Sequence, residues 1–330
     1  MTVGTALTVR DEPFDRVRGE WEGVLAQAPQ PLPFVTPTFQ RVWLDHFQDG
    51  RGVQVLTARD GERLIGVAPL LRDGDRAELV GHYSICDYMD VVVTPGFERA
   101  FFAALYERLA DDGVSAIDLR GLRVTSPALG AVDVAEGYGF RSEREREAVA
   151  PGVCLPSTWE EYLASLSKKD RHELRRKFRR LQDAGGAQEL RVVTDAAEAV
   201  AGLDTLFHLM RASSHHKEEF LERPGMEAFF RAVTGAMAAE GMVRFYFLTL
   251  DGESVAAVLN FDLGGHLYMY NSGYDPAYAH YAVGLMSKAL LLKDAIENGR
   301  GCVDFLRGSE SYKYDLGGKD EEVCRVVLRR

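Results

Sequence analysis

The segment from Asp304 to Tyr314 is the densest group of polar, proton-handling side chains to follow an apolar run in this sequence. It holds Asp304, Arg307, Glu310, Tyr312, Lys313 and Tyr314. A carboxylate, a phenol and cations in one short loop can take a proton from one reacting group and give one to another. On that chemistry Glu310 is the candidate base, and Tyr312 or Tyr314 the candidate acid. Asp304 and Arg307 are candidate contacts to a bound substrate.

A second group is basic. Lys168, Lys169, Arg171, Arg175, Arg176, Lys177, Arg179 and Arg180 fall within 13 residues of a chain whose net charge is -11. Helical spacing sorts them into one stripe of Lys168, Arg171, Arg175 and Arg179, and another of Lys169, Arg176 and Arg180. Arg175, Arg176 and Arg179 are candidate contacts to a phosphate-bearing acceptor, a tRNA acceptor stem or an anionic membrane surface. The overall acidity disfavours a long polyanion, so tRNA is the less favoured partner. The histidines His215 and His216 are further candidate contacts to a bound substrate. As helical neighbours they point in different directions, which argues against a two-histidine metal site.

The four cysteines, Cys86, Cys154, Cys302 and Cys324, form no CxxC or Cys/His pattern. No zinc site or disulfide framework is expected, and a reducing compartment is. Met1 to Arg10 has no basic region leading into an apolar one, and no apolar run approaches the ~20 residues that span a bilayer. A cytoplasmic protein without a bound metal is the expectation.

The elements that would position these residues run in two similar series. Residues 14–25 and 37–47 read as helices, the first ended by the prolines between 29 and 33. Residues 53–58 and 64–71 read as a hairpin around Asp60-Gly61. A strand over 88–93 follows, then a helix carrying Phe97, Phe101, Phe102, Leu105 and Leu109 on one face, then a strand over 116–119. The second half repeats the order. Helices near 196–211 and 226–240 precede a hairpin, 243–250 and 254–262, turning at Asp251-Gly252. A strand over 267–270, a helix burying Leu285, Met286, Ala289, Leu290 and Ile296, and a strand over 302–306 complete it. Tyr268 and Tyr270 share one sheet face. The repeat is visible in residues too, since Asp112-Gly113 and Ile117-Asp118-Leu119-Arg120-Gly121 resemble Asn298-Gly299 and Val303-Asp304-Phe305-Leu306-Arg307-Gly308. Between the halves, Ser157-Thr158-Trp159-Glu160 reads as a capping box for a helix running to Asp183 and ended by Gly185-Gly186.

Two helices, a hairpin, a strand, a helix and a strand is the order of the GNAT acyltransferase fold. The local sequence resembles one group within it at three places: Leu166-Ser167-Lys168-Lys169 with Glu173-Leu174-Arg175-Arg176-Lys177, then Asn271-Ser272-Gly273-Tyr274-Asp275-Pro276, then Asp304-Phe305-Leu306-Arg307-Gly308 with Tyr312-Lys313. That group is named after a cellulose-biosynthesis acetyltransferase and is related to the Fem-type peptidoglycan aminoacyl ligases. The resemblance covers most of residues 157–315 and implies acyl transfer to an amine. In Fem-type ligases a lysine in a similar aromatic-Lys setting lies in the active site, which makes Lys313 the candidate for stabilising developing negative charge.

GNAT chemistry relies on backbone N–H groups that hold the donor's carbonyl and phosphates. A helix start after a central strand meets that need. In the second half it falls at Tyr281-Ala282-Val283-Gly284-Leu285, with Gly284 permitting close backbone approach. The stretch is poorer in glycine than the usual GNAT pattern and lacks its nearby Arg or Gln. The corresponding start in the first half, Thr94-Pro95-Gly96-Phe97-Glu98, already carries a carboxylate that would repel phosphate, and that half reads as a degenerate partner.

The expectation is an α/β protein of two tandem GNAT-like domains, mixed sheets flanked by helices, spanning 1–156 and 188–330 and joined by a basic helical linker over 157–187. Its expected activity is N-acyl transfer from acetyl-CoA, or another acyl-CoA, to an amine on a small or phosphate-bearing acceptor. The alternatives are a tRNA-dependent aminoacyl ligase of the Fem type and a non-catalytic protein that holds an anionic ligand.

Overall fold

Alternating apolar positions and glycine turns set up the sheets of this protein. The structure, a computed structural model, describes residues 7–183 and 187–330. The chain divides into two compact units, one of residues up to 149 together with 321–330, the other of residues 150–320.

The first unit contains β1 (Thr8–Asp11), α1 (Phe14–Leu25), α2 (Pro37–Phe47), β2 (Gly52–Asp60), β3 (Arg63–Asp73), β4 (Arg76–Leu79), β5 (Val92–Val93), α3 (Glu98–Asp111), β6 (Ala116–Arg123), the single turn α4 (Pro127–Gly130) and the first part of β7 (Arg141–Cys154). Helix α1 buries Phe14, Val17, Trp21, Val24 and Leu25, a stripe at helical spacing. Thr36 caps α2 by accepting the N–H of Phe39, with Pro37 in the first turn. Strands β1 to β4 pair antiparallel in sequence order, and β4 then pairs parallel with β6.

The strand expected over 88–93 is confined to Val92–Val93, which pairs with Gly66 and Val67 of β3. The preceding segment lies against β6 instead, where the N–H of Met89 donates to the Gly121 carbonyl at 3.2 Å. Gly121 has φ +67°, and a Cβ there would sit 3.1 Å from the Met89 nitrogen, so the close approach depends on glycine.

The second unit continues with α5 (Trp159–Ser165), α6 (Lys168–Gln182), β8 (Gln188–Val193), α7 (Ala196–Ser213), α8 (His215–Leu221), α9 (Met226–Ala239), β9 (Val243–Leu250), β10 (Glu253–Leu263), β11 (His266–Tyr274), a 3₁₀ turn at Pro276–Tyr281, α10 (Val283–Glu297), β12 (Cys302–Asp304), α11 (Ser311–Asp315) and β13 (Lys319–Arg329). Strands β8 to β11 are antiparallel, β11 pairs parallel with β12, and β12 pairs antiparallel with residues 152–154 of β7. The core is formed by Tyr246, Val258, Leu267, Met286, Leu291 and Val303 among others. Helix α7 crosses β11 so closely that a Cβ on Gly273 would lie 2.4 Å from the Met210 nitrogen.

Two boundaries differ from the sequence-based expectation. Residues 321–329 of β13 belong to the first unit, where Val323 to Arg329 pair antiparallel with Arg123 to Ala116 of β6. Arg123 is bidentate to Glu321, and Arg325 to Asp118. Residues 157–183 of the expected linker pack on the core of the second unit. Tyr162 is fully buried and donates its hydroxyl to the Leu316 carbonyl at 2.9 Å, and Leu174 and Leu181 sit in the same core. The single long helix is two. Thr158 and Glu161, rather than Ser157 and Glu160, form the capping box of α5, and Ser167 caps α6 by accepting the Asp170 N–H. The expected stop at Gly185-Gly186 lies outside the described residues. No described helix is long and apolar enough to cross a membrane.

Candidate functional site

Strands β11 and β12 pair over three residues only, His266 with Cys302, Leu267 with Val303 and Tyr268 with Asp304. Beyond that point β11 continues to Tyr274 along β10, past a bulge at Leu259/Asn260. The expected strand 302–306 instead ends at Asp304. The Asp304 carboxylate accepts the Leu306 N–H at 2.8 Å, and Leu306 takes a left-handed backbone, φ +58°. The N–H of Phe305 goes to the Pro151 carbonyl at 3.0 Å. The two parallel strands therefore part, leaving an opening edged by residues 269–274 and 305–310.

Lys313 closes the loop on the β12 side. It is 1% exposed, and its Nζ donates to the carbonyls of Leu306 (2.9 Å), Arg307 (2.8 Å) and Gly308 (3.1 Å). Three N–H groups meet three carbonyls, with Glu310 Oε2 a further 2.9 Å partner. An ammonium engaged this way has no proton to spare for a substrate, so its geometry is that of a brace rather than the expected charge stabiliser. The Glu310 carboxylate, 58% exposed, lies over Gly308, where a Cβ would come within 2.5 Å of it. Tyr312 packs edge-on to Phe305, and burial pushes its phenol well above the usual range. Tyr314 is exposed and donates its hydroxyl to Asp320 at 2.8 Å.

Two lysines not anticipated from the sequence meet this loop. Lys288, on the inner face of α10, is 5% exposed; its Nζ donates to the Gly284 carbonyl at 2.9 Å and stands 4.8 Å from the centre of the Tyr312 ring. Burial, then the nearby Lys217 charge, brings its amine down to about 7, with Lys313 adding to the effect and Glu310 opposing it. Lys217 reaches from α8 to donate to the Ser272 carbonyl, on the part of β11 beyond its last β12 partner. Burial lowers its amine too. A lysine inside the apolar face of α10 was the visible signal for Lys288. Lys217 had none beyond its place beside the histidine pair.

His215 and His216 themselves point outward, 77% and 94% exposed, and pair with Glu218 and Glu219 of their own helix. The hydrogen bond that His215 donates to the Glu218 carboxylate raises the His215 pKa. The residue of α8 that enters the site is the one after them. Among the described residues no group of three His, Cys, Asp or Glu side chains could hold a metal ion. Cys154 and Cys302 are cross-strand partners with sulfurs 3.3 Å apart, closer than their separation in sequence implied.

Helix α10 begins without a cap. Ala282 occupies the N-cap position at φ +57°, no side chain hydrogen-bonds to the start, and no acidic residue lies in the first turn. The N–H groups of Leu285 and Met286 return to the Ala282 carbonyl, whereas those of Val283 and Gly284 meet no acceptor among the described residues. Unpaired N–H groups at the positive end of a 15-residue helix fit a phosphate. The Val283 side chain is fully buried, and Tyr281, Ala282 and Leu285 pack on the core, so this stretch offers backbone rather than side chains. A Cβ on Gly284 would lie 2.9 Å from the Tyr274 ring, so that ring also favours glycine at this position. In the first unit the start of α3 is already served, with Glu98 accepting the Gly96 N–H at 3.0 Å.

The basic helix α6 borders the α10 start. Arg180 donates to the His280 carbonyl at 3.1 Å, in the turn that precedes α10. The stripe on that side is Lys169, Arg176 and Arg180, with Arg176 also paired to Glu173. Arg175 and Arg179 lie on the other stripe, so of the three arginines singled out only Arg176 sits toward the helix start. Lys168, Lys169, Arg175, Lys177 and Arg179 form no salt bridge among the described residues.

Comparison with known proteins places this geometry. Residues 168–314 match the family model described as an acetyltransferase (GNAT) domain. By structure the chain is similar to FemX, with a TM-score of 0.66 at 12% identity, covering 96% of each chain. It is similar to the C-terminal domain of a putative lysylphosphatidylglycerol synthetase from Agrobacterium fabrum, at TM-score 0.59 and 10% identity over 96% of this chain and 92% of that one. A tandem GNAT protein from the clavulanic acid biosynthesis pathway gives a TM-score of 0.52 at 15% identity, covering 97% and 98%. No curated protein matches by sequence. The fold is that of GNAT acyltransferases.

Proposed function

Proceeding from the GNAT fold, we propose that the second unit transfers an acyl group from an acyl-CoA, acetyl-CoA being the reference donor, to an amine. The observation that carries this reading is the parting of β11 and β12 after three residue pairs, beside an uncapped, acid-free start of α10. The donor's phosphates would rest on the Val283 and Gly284 N–H groups, with the Lys169, Arg176 and Arg180 side of α6 supplying charge. Its acyl end would lie in the opening between the strands.

Three residues of the loop then take distinct parts. Glu310 is exposed and accepts the proton that the amine nitrogen sheds as its bond to the carbonyl carbon forms. The C–S bond breaks, and coenzyme A leaves as a thiolate that takes a proton from solvent. Lys313 fixes the loop that carries Glu310 and is a positioning residue. Tyr312 stacks under Lys288, and its raised pKa keeps it protonated as a hydrogen-bond donor.

Calorimetry with acetyl-CoA tests the reading. One site per chain is expected, lost in Gly284→Glu, which puts a carboxylate at the helix start. Two equal sites, or unchanged affinity in that variant, would overturn it. A second reading, an aminoacyl ligase of the Fem type related to the group that the sequence resembles, draws on the α6 cations, of which only Arg176 is salt-bridged among the described residues. It requires salt-sensitive binding of total tRNA in a filter assay, weakened in Lys168→Gln/Arg175→Gln/Arg179→Gln. Binding that is absent at low salt removes it.

A further inference from the structure

Three lysines from three separate elements converge on the opening between β11 and β12. Lys217 comes from α8, Lys288 from α10 and Lys313 from α11. The described charges that act on Lys288 are Lys217, Lys313 and one carboxylate, Glu310. Glu310 is already 2.9 Å from Lys313. Neither Lys217 nor Lys288 has a salt bridge among the described residues, and each spends one hydrogen bond, on the Ser272 and Gly284 carbonyls. A second donor for one backbone carbonyl does not require a charged group, and a buried cation without a counter-charge is costly. The cluster is short of negative charge, and its unspent N–H groups lie where the reacting end of a substrate would sit.

We infer that Lys217 and Lys288 receive a carboxylate on the substrate, held beside the reacting carbonyl in the β11/β12 opening. The inference rests on the acyl-transfer reading and narrows its substrate class. A neutral acetyl group and a simple amine would leave the two lysines unmatched. A carboxylate offers two oxygens to two ammonium groups, and a charge-assisted hydrogen bond is about twice as strong as a neutral one. Its charge would also return Lys288 to the protonated state, so binding takes up a proton near pH 8. The carboxylate has two possible carriers: the acyl group of a dicarboxylic donor, or an amino-acid acceptor.

Calorimetry on the full chain separates them. In the first arm succinyl-CoA is compared with acetyl-CoA. In the second, glycine is compared with methylamine, and L-lysine with cadaverine, on protein saturated with coenzyme A. One arm is expected to favour the carboxylate roughly tenfold, with a heat that changes between buffers of different ionisation enthalpy at pH 8. Lys217→Met and Lys288→Met should each abolish that preference. Lys217 lies at the partly exposed edge, so its variant tests the preference independently of the buried Lys288. If acetyl-CoA binds and neither arm favours the carboxylate, the inference is wrong and the donor site stands. A preference that survives both substitutions also refutes it. If no coenzyme A thioester binds at all, the acyl-CoA reading fails and takes the inference with it.

Discussion

The Nζ of Lys313 donates to the carbonyl of Leu306 at 2.9 Å, and Leu306 is one of three non-glycine residues with a left-handed backbone among the described residues. That conformation costs of order 1 kcal/mol in an L-residue and persists where surrounding contacts over-determine it. The turn it makes sends the chain away from β11 and so opens the site.

Removing that brace should act first on stability. Lys313→Met leaves the carbonyls of Leu306, Arg307 and Gly308 without their donor, and the melting temperature is expected to fall by ~5 °C or more. Thermal denaturation by circular dichroism reads it. An unchanged melting temperature together with lost turnover would return Lys313 to a direct chemical part.

Tyr274 and Gly284 should prove coupled. Gly284→Ala pushes a methyl group to within 2.9 Å of the Tyr274 ring and is expected to cost about 1–3 kcal/mol. Trimming the ring in Tyr274→Leu should recover part of that loss in the double variant. Additive losses in urea unfolding would mean that the ring does not set the glycine.

Lys288 gives a signed pH dependence. An unfolded lysine holds its proton up to about 10.5, whereas the buried one lets go near 7. Between those values the unfolded chain binds the extra proton, so this residue's contribution to stability rises with pH. Below about 7 its penalty is full and constant. Lys288→Met should therefore raise the melting temperature by a few degrees at pH 7, with a smaller gain toward pH 10. A gain equal at both pH values would show that the amine does not titrate in this window.

Asp90, in the first unit, carries the opposite sign. Burial lifts its carboxyl to about 7 against hydrogen bonds from Ser126 and the Val91 N–H and the charge of Arg123. From pH 4 to 7 the folded chain holds one more proton than the unfolded one, so stability falls as pH rises and levels off above 7. Asp90→Asn should stabilise at pH 8 and make little difference at pH 4. Parallel stability curves for the two proteins would contradict the burial.

Periodicity and turn chemistry are local, and what depended on them was legible in the sequence. Helices α1, α2 and α3, the hairpins at Asp60-Gly61 and Asp251-Gly252 and the acid-free start of α10 all follow from residues within a few positions of one another. The loop from Asp304 to Tyr314 was marked by its composition. The parts taken by its side chains were not, because Lys313 is spent on carbonyls that only the left-handed turn at Leu306 gathers. Lys217 and Lys288 stand 71 residues apart in the chain, and only the packing of α8 and α10 about β11 brings their charges together. The same holds for β13, whose partner β6 lies some two hundred residues earlier, and for Arg180, placed at the α10 start by one bond to His280. Long-range pairing and burial are collective properties of the folded chain, and no window of sequence carries them.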